Sequence, residues 1–151
     1  MSVQAFKFYK QAKHWIGAAT INLRTGTFDL HLYKSTSNFA TNTLSTYGSL
    51  TNQIASAGGY KLSGKNLAGI AWTAGTSAGQ QKFNFTAMSL SASSNITSIL
   101  AYVIVARTGA SGKDAANKLL GYASLTSAVF SVSSGNKLVL TPPSTGIFTL
   151  A

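Results

Sequence analysis

Asp29 and Asp114 are the only carboxylate side chains in the sequence, His14 and His31 the only imidazoles, and cysteine is absent. Acid–base catalysis by paired carboxylates needs both in one site, and these two stand far apart in segments of different character. A metal site draws three or four ligands from His, Cys, Asp and Glu, and the whole chain offers four such side chains. Asp29 and His31 share one face of an alternating segment, so a Ser-His-Asp triad can be drawn through them. A surface pair without a catalytic role is the simpler expectation. A second motif, GYKLSGKN at 59–66, fits the G-x-x-x-x-G-K spacing of a phosphate-binding loop, with Asn66 where Ser or Thr would bind magnesium. Such a loop must leave a strand and open a helix that holds the phosphates. The following residues, Leu67 to Trp72, read as a strand, so a glycine turn is expected. No catalytic, cofactor-binding or metal-ligating residue is assigned, and no cofactor or enzymatic activity is expected.

What the chain has in quantity is positive charge. Twelve Lys and Arg against two acids give a formal net charge of +10, which favours a partner with an acidic surface: nucleic acid, membrane or protein. The clearest cluster is Lys7, Lys10, Lys13 and His14, with Phe6 exposed beside it. These five residues form the candidate interaction surface. Lysines so placed neutralise phosphates, which makes nucleic acid the rival partner. No nucleic-acid-binding module is visible, and a single Phe6 is not a stacking platform.

The elements that carry these residues follow from hydrophobic period. Ala5, Phe8, Tyr9, Ala12, Trp15 and Ile16 recur at helical spacing and predict an amphipathic helix over 3–16, with the lysines opposite and Gly17 as its stop. Its apolar face is expected to pack on a sheet. From Thr27 the period becomes two: Phe28, Leu30 and Leu32 face one way, Asp29, His31 and Tyr33 the other, a strand with one buried face. A Ser/Thr/Asn-rich loop is expected over 34–48 and an exposed one over 108–118. Further strands are predicted at 59–63, 67–73, 81–88, 99–106, 119–124, 127–133, 136–141 and 146–150, with a tight hairpin at Ser133-Ser134-Gly135-Asn136.

Composition agrees with this pattern. Hydrophobic residues make up 45% of the chain and charged residues only 9%, against about a quarter charged in ordinary domains. A helical bundle needs more Glu, Lys and Arg on its faces. Many short strands with small-residue turns and one helix predict a mainly β fold, an antiparallel β-sandwich or jelly-roll-like single domain over 1–151. The N-terminal residues are too polar for a signal peptide, and no stretch approaches the roughly 18 apolar residues of a membrane span. The chain is therefore expected to fold in a cytoplasm, with no membrane partner.

Several segments together resemble small proteins encoded in the structural gene clusters of tailed bacteriophages. They are the short N-terminal helix followed by GAATINLRTGTFDLHLYKS at 17–35, NQIASAGGY at 52–60, GKNLAGIAWT at 64–73, AYVIV at 101–105 and the closing GIFTL at 146–150. The likeness runs in order along nearly the full length. It implies a non-enzymatic virion protein, made in the host cytoplasm. The first expectation is a capsid decoration or cement protein on the major capsid protein, working as a homo-oligomer or symmetric array. The alternative is a tail- or fibre-associated sandwich that meets other tail proteins or a host glycan, with Phe39 and Tyr47 of the long loop as contacts. GIFTL itself is expected to pair inside the domain with Phe148 buried, because a free apolar edge is a liability.

Overall fold

Phe6 and Phe8 stand two residues apart, and that spacing decides the start of the chain. In the computed structural model, which describes residues 4–150, Lys7–Phe8 form a strand, β1, and the helix α1 spans only Lys10–Gly17. The helix expected over 3–16 is thus shortened at its N-terminal side. Val3, its expected first residue, and Ala151 lie outside the described residues. Period two puts the rings of Phe6 and Phe8 together, at 5.5 Å and edge to face, and both pack against the core. Burying two aromatic rings outweighs the weak helical propensity of this stretch. Tyr9 stays extended (φ −71°, ψ 148°) as the N-cap of α1.

The strands that follow are β2 (Phe28–Tyr33), β3 (Lys65–Asn66), β4 (Ala71–Ala74), β5 (Gln81–Asn84), β6 (Met88–Ser91) and β7 (Ile96–Ile99). Then come β8 (Ala101–Ala106), β9 (Lys118–Ser124), β10 (Phe130–Val132), β11 (Lys137–Leu140) and β12 (Phe148–Leu150). The largest sheet has the order β1-β9-β8-β2-β3. The others are β12-β5-β4, β10-β7 and β11-β6, and every pairing is antiparallel. The architecture is the mainly β, sandwich-like one that the residue pattern predicts. Phe28, Leu30, Leu32, Tyr102 and Ile104 on one face of the large sheet meet Phe83, Met88, Leu90, Ile99 and Leu138 from the small sheets in one core. Tyr33, Val103, Val105 and Leu119 on the opposite face build a second core with Tyr9, Phe39 and Tyr122. Both faces of the large sheet are covered, which is why β2, β8 and nearly all of β9 are buried throughout.

This corrects several expectations. The second face of β2, expected at the surface, is sealed by the segment 34–64 and by the loop 107–117. That loop is not wholly exposed: Asn117 is buried and ties it together, accepting from the backbone N–H groups of Thr108 and Gly109 and donating to the Ser111 carbonyl. The segment 59–63 is turns, not a strand, and 81–88 divides into β5 and the start of β6. The turn at 133–136 closes locally, Asn136 N–H donating to the Ser133 carbonyl, yet its flanking strands pair with β7 and β6 in different sheets. It carries the chain from one sheet to another and makes no hairpin.

Gly121 sits where β9 meets β1. A Cβ there would collide with the ring of Phe6 and the Lys7 carbonyl, so glycine lets β1 close over the sheet edge. α1 then packs beside β9, with Ala12 fully buried. At the other end of the chain, β12 pairs with β5 in the register Phe148↔Phe83, and Phe148 is buried. The closing strand is therefore intramolecular, as expected, although it begins at Phe148; Gly146 forms the preceding turn at φ 94°.

Candidate interaction surface

Three of the five candidate residues converge. Lys7 comes from β1, Lys10 and Lys13 from the exposed side of α1, and with Phe8 and Tyr9 they line one open groove of about 510 Å³. Lys13 Nζ lies 5.9 Å from the centroid of the Phe8 ring, close enough for a cation–π contact. His14 is exposed in the last turn of α1 but does not line the groove. Phe6 departs from expectation. It is half-buried, stacked on Phe148 at 5.2 Å and on Tyr102 at 6.5 Å, so the aromatic beside the lysines is Phe8. The strand–helix junction explains the exchange, since a continuous helix would have carried Phe6 round to the lysine side.

No carboxylate lines this groove, and both acids of the chain are engaged elsewhere. Asp114 Oδ1 accepts from the backbone N–H of Ala116. Asp29 is 0% exposed and takes a two-pronged bond from Arg107, Nε to Oδ2 at 2.8 Å and Nη2 to Oδ1 at 2.6 Å. Asn66 Nδ2 approaches Oδ1 at 3.4 Å. The expected surface pair of Asp29 and His31 is thus buried, and its two members have separate partners. His31 Nδ1 lies 3.0 Å from Gln53 Nε2. The same amide donates to the Tyr60 hydroxyl and the Leu62 carbonyl, while Tyr47 donates to Gln53 Oε1. A Cβ on Gly64, which has φ 76°, would lie 2.8 Å from His31 Nε2, so glycine lets this turn close over the ring. Burial lowers the His31 pKa to about 4, against the opposing pull of Asp29, and the ring is neutral at pH 7. Burial also raises the Tyr60 hydroxyl to about 12. Among the described residues no serine or threonine hydroxyl bonds His31, so the triad drawn on the sequence is not assembled. The cluster fastens two loops onto β2.

The remaining sequence candidates resolve in the same way. After Gly64 the chain runs into β3, which pairs with β2 at Asp29 and Leu30, so the G-x-x-x-x-G-K stretch opens no helix. Phe39 is buried against Tyr122, and Tyr47 is half-buried with its hydroxyl held by Gln53. Among the described residues no three His or Asp side chains are grouped to hold a metal ion, and no helix is long and apolar enough to cross a membrane. Gln53, Asn66 and Arg107 carry no local signal in the sequence, because each acts on a strand more than twenty residues away. No protein-family model matches this chain, and no curated protein or solved structure is detectably similar to it.

Proposed function

We propose that this protein is a non-enzymatic structural component of a tailed-bacteriophage virion, a decoration or cement protein that docks on the major capsid protein. The observation that carries the docking reading is the basic groove, where Lys7, Lys10 and Lys13 from two consecutive elements face solvent around Phe8 with no acid among them. The likeness of the sequence to phage structural proteins supplies the setting. A rigid two-core body with a cationic groove suits attachment to an acidic protein surface in many identical copies. Exposed ion pairs contribute only about 0–1 kcal/mol each and are screened by salt. The lysines therefore steer and orient assembly, and the apolar body of Phe8 and the lysine stems adds contact area.

Nucleic acid is the weaker partner, because Phe6 is stacked on Phe148 and the groove keeps only Phe8, a single ring rather than a stacking platform. The test is co-sedimentation with particles that lack the protein, at low and high salt, comparing the wild type with Lys7→Ala/Lys10→Ala/Lys13→Ala. The variant should bind more weakly at low salt and lose most of the salt dependence. Binding unchanged at both salts refutes the groove. Copy number in purified virions separates the locations: hundreds per particle means capsid, a few to dozens means tail.

A further inference from the structure

The sheet β12-β5-β4 ends on β4, which has a strand neighbour on one side only. At the hairpin, Gly75 N–H donates to the Gln80 carbonyl at 2.9 Å. Bonded and non-bonded positions alternate in an antiparallel pair. Counting from Gly75, Thr73 and Ala71 bond to Lys82 and Asn84, while Ala74 and Trp72 stand opposite Gln81 and Phe83 without bonds. The N–H and C=O groups of Trp72 and Ala74 therefore point away from β5. Among the described residues no backbone group outside the strand ladders bonds them. β4 carries no charge, no proline and no bulge, the devices that normally blunt an edge. Two depressions flank it. One, of about 240 Å³, is lined by Ile16, Ile21 and Leu23; the other, of about 570 Å³, by Ile70, Thr73 and Gln81; Trp72 and Arg24 line both.

We infer that β4 is a docking edge for an extended, acidic segment of a partner protein, which adds to this sheet as a fourth strand. The main-chain groups of Trp72 and Ala74 supply hydrogen bonds, and the depressions beside Trp72 take alternate side chains of the added strand. Charge selects the occupant. Arg24 is the common wall, no acid lines either depression, and the chain as a whole is +10. A second copy would bring two strongly cationic molecules edge to edge, whereas an acidic segment is attracted and places a carboxylate against Arg24. This edge is independent of the lysine groove, so either can fail without the other.

The decisive variant is Ala74→Pro. Proline there deletes an outward N–H and leaves the ladder to β5 intact, the one setting in which strands accept it. The probe is a random displayed peptide library selected on the immobilised full chain. The recovered peptides should be acidic with alternating apolar residues, and should protect the Trp72 and Ala74 amides from hydrogen exchange. They should bind Ala74→Pro at least about tenfold more weakly, and Lys7→Ala/Lys10→Ala/Lys13→Ala as well as the wild type. If Ala74→Pro does not fold, Arg24→Glu carries the test and must weaken binding of the recovered acidic peptides by at least about tenfold. Failure to recover any peptide, undiminished binding to Ala74→Pro, or an Ala74→Pro-sensitive homodimer in light scattering each overturns the inference.

Discussion

Replacing Phe148 with alanine tests whether the closing strand holds this fold together. The ring of Phe148 is stacked on Phe83 at 5.1 Å and 11° and on Phe6 at 5.2 Å and 20°; Phe8 meets it edge-on at 4.5 Å, and Trp72 lies at 6.3 Å. These neighbours come from β1 and the residue before it, from β4 and from β5, so no single element can move in to fill the space. Burying a phenylalanine contributes about 1.5–3 kcal/mol by transfer alone, and aromatic pairs add about 0.5–1.5 kcal/mol each. Core Phe→Ala changes cost about 3–5 kcal/mol, and a ring enclosed by four others belongs near the top of that range. Domains of this size have about 5–15 kcal/mol in all. With a urea m-value of about 2 kcal/mol/M, the unfolding midpoint should fall by about 2 M. Tryptophan fluorescence reports the transition directly, through Trp72, and far-UV circular dichroism checks that it is two-state. A midpoint shift below about 0.5 M at unchanged m refutes the reasoning. So does a chain lacking residues 146–151 that remains a folded monomer and fails only to assemble, which would mean that the strand belongs to a neighbour.

Arg107→Ala strands the Asp29 carboxylate, whose side chain is 1% exposed, and should cost about 3–5 kcal/mol in urea unfolding. Asp29→Leu/Arg107→Leu should recover at least half of that loss, and a double variant as unstable as the single one contradicts the ion-pair account. Stability should also fall as pH drops from about 6.5 to about 4. In that window the unfolded chain protonates His31 and the folded chain does not, since its pKa is held at about 4. The full loss by pH 4 is about 3 kcal/mol. Urea unfolding across this range should show the slope in the wild type and not in His31→Gln; the same slope in both removes His31 as its cause.

The parts of the fold legible in the sequence are those written in local period. Ala12, Trp15 and Ile16 announce α1, and the alternation from Phe28 to Tyr33 announces β2 with the correct side of Phe28, Leu30 and Leu32. What the sequence leaves open is which surface covers an element once it has formed. The outer face of β2 looks polar, yet Asp29 and His31 are buried because Arg107, Asn66 and Gln53 reach them from distant segments. Phe8 fits both periods, and the choice between helix and strand falls to Gly121, more than a hundred residues away, which leaves room for Phe6. The turn at 133–136 shows the same limit: its local geometry is sound, but a turn does not encode which sheet its flanking strands will join. Lys10 and Lys13 are a recognisable helix stripe, whereas Lys7 reaches the same groove only because β1 ends beside α1.

The bare edge of β4 has a consequence for how the protein behaves in bulk. Most proteins guard such an edge locally, with a lysine or proline in the strand itself. Here the guard is global: with a pI near 10.1, every molecule repels every other at neutral pH before edges can meet. That protection is colloidal, and it is only as long as the Debye length, about 8 Å at physiological ionic strength and about 3 Å at 1 M salt. Concentrated salt or alkaline pH thus disarms the edge without unfolding the molecule, and clustering under those conditions begins from the native state. An acidic partner seated on β4 would act in the opposite sense, as a cap that keeps the protein dispersed where its own charge no longer can.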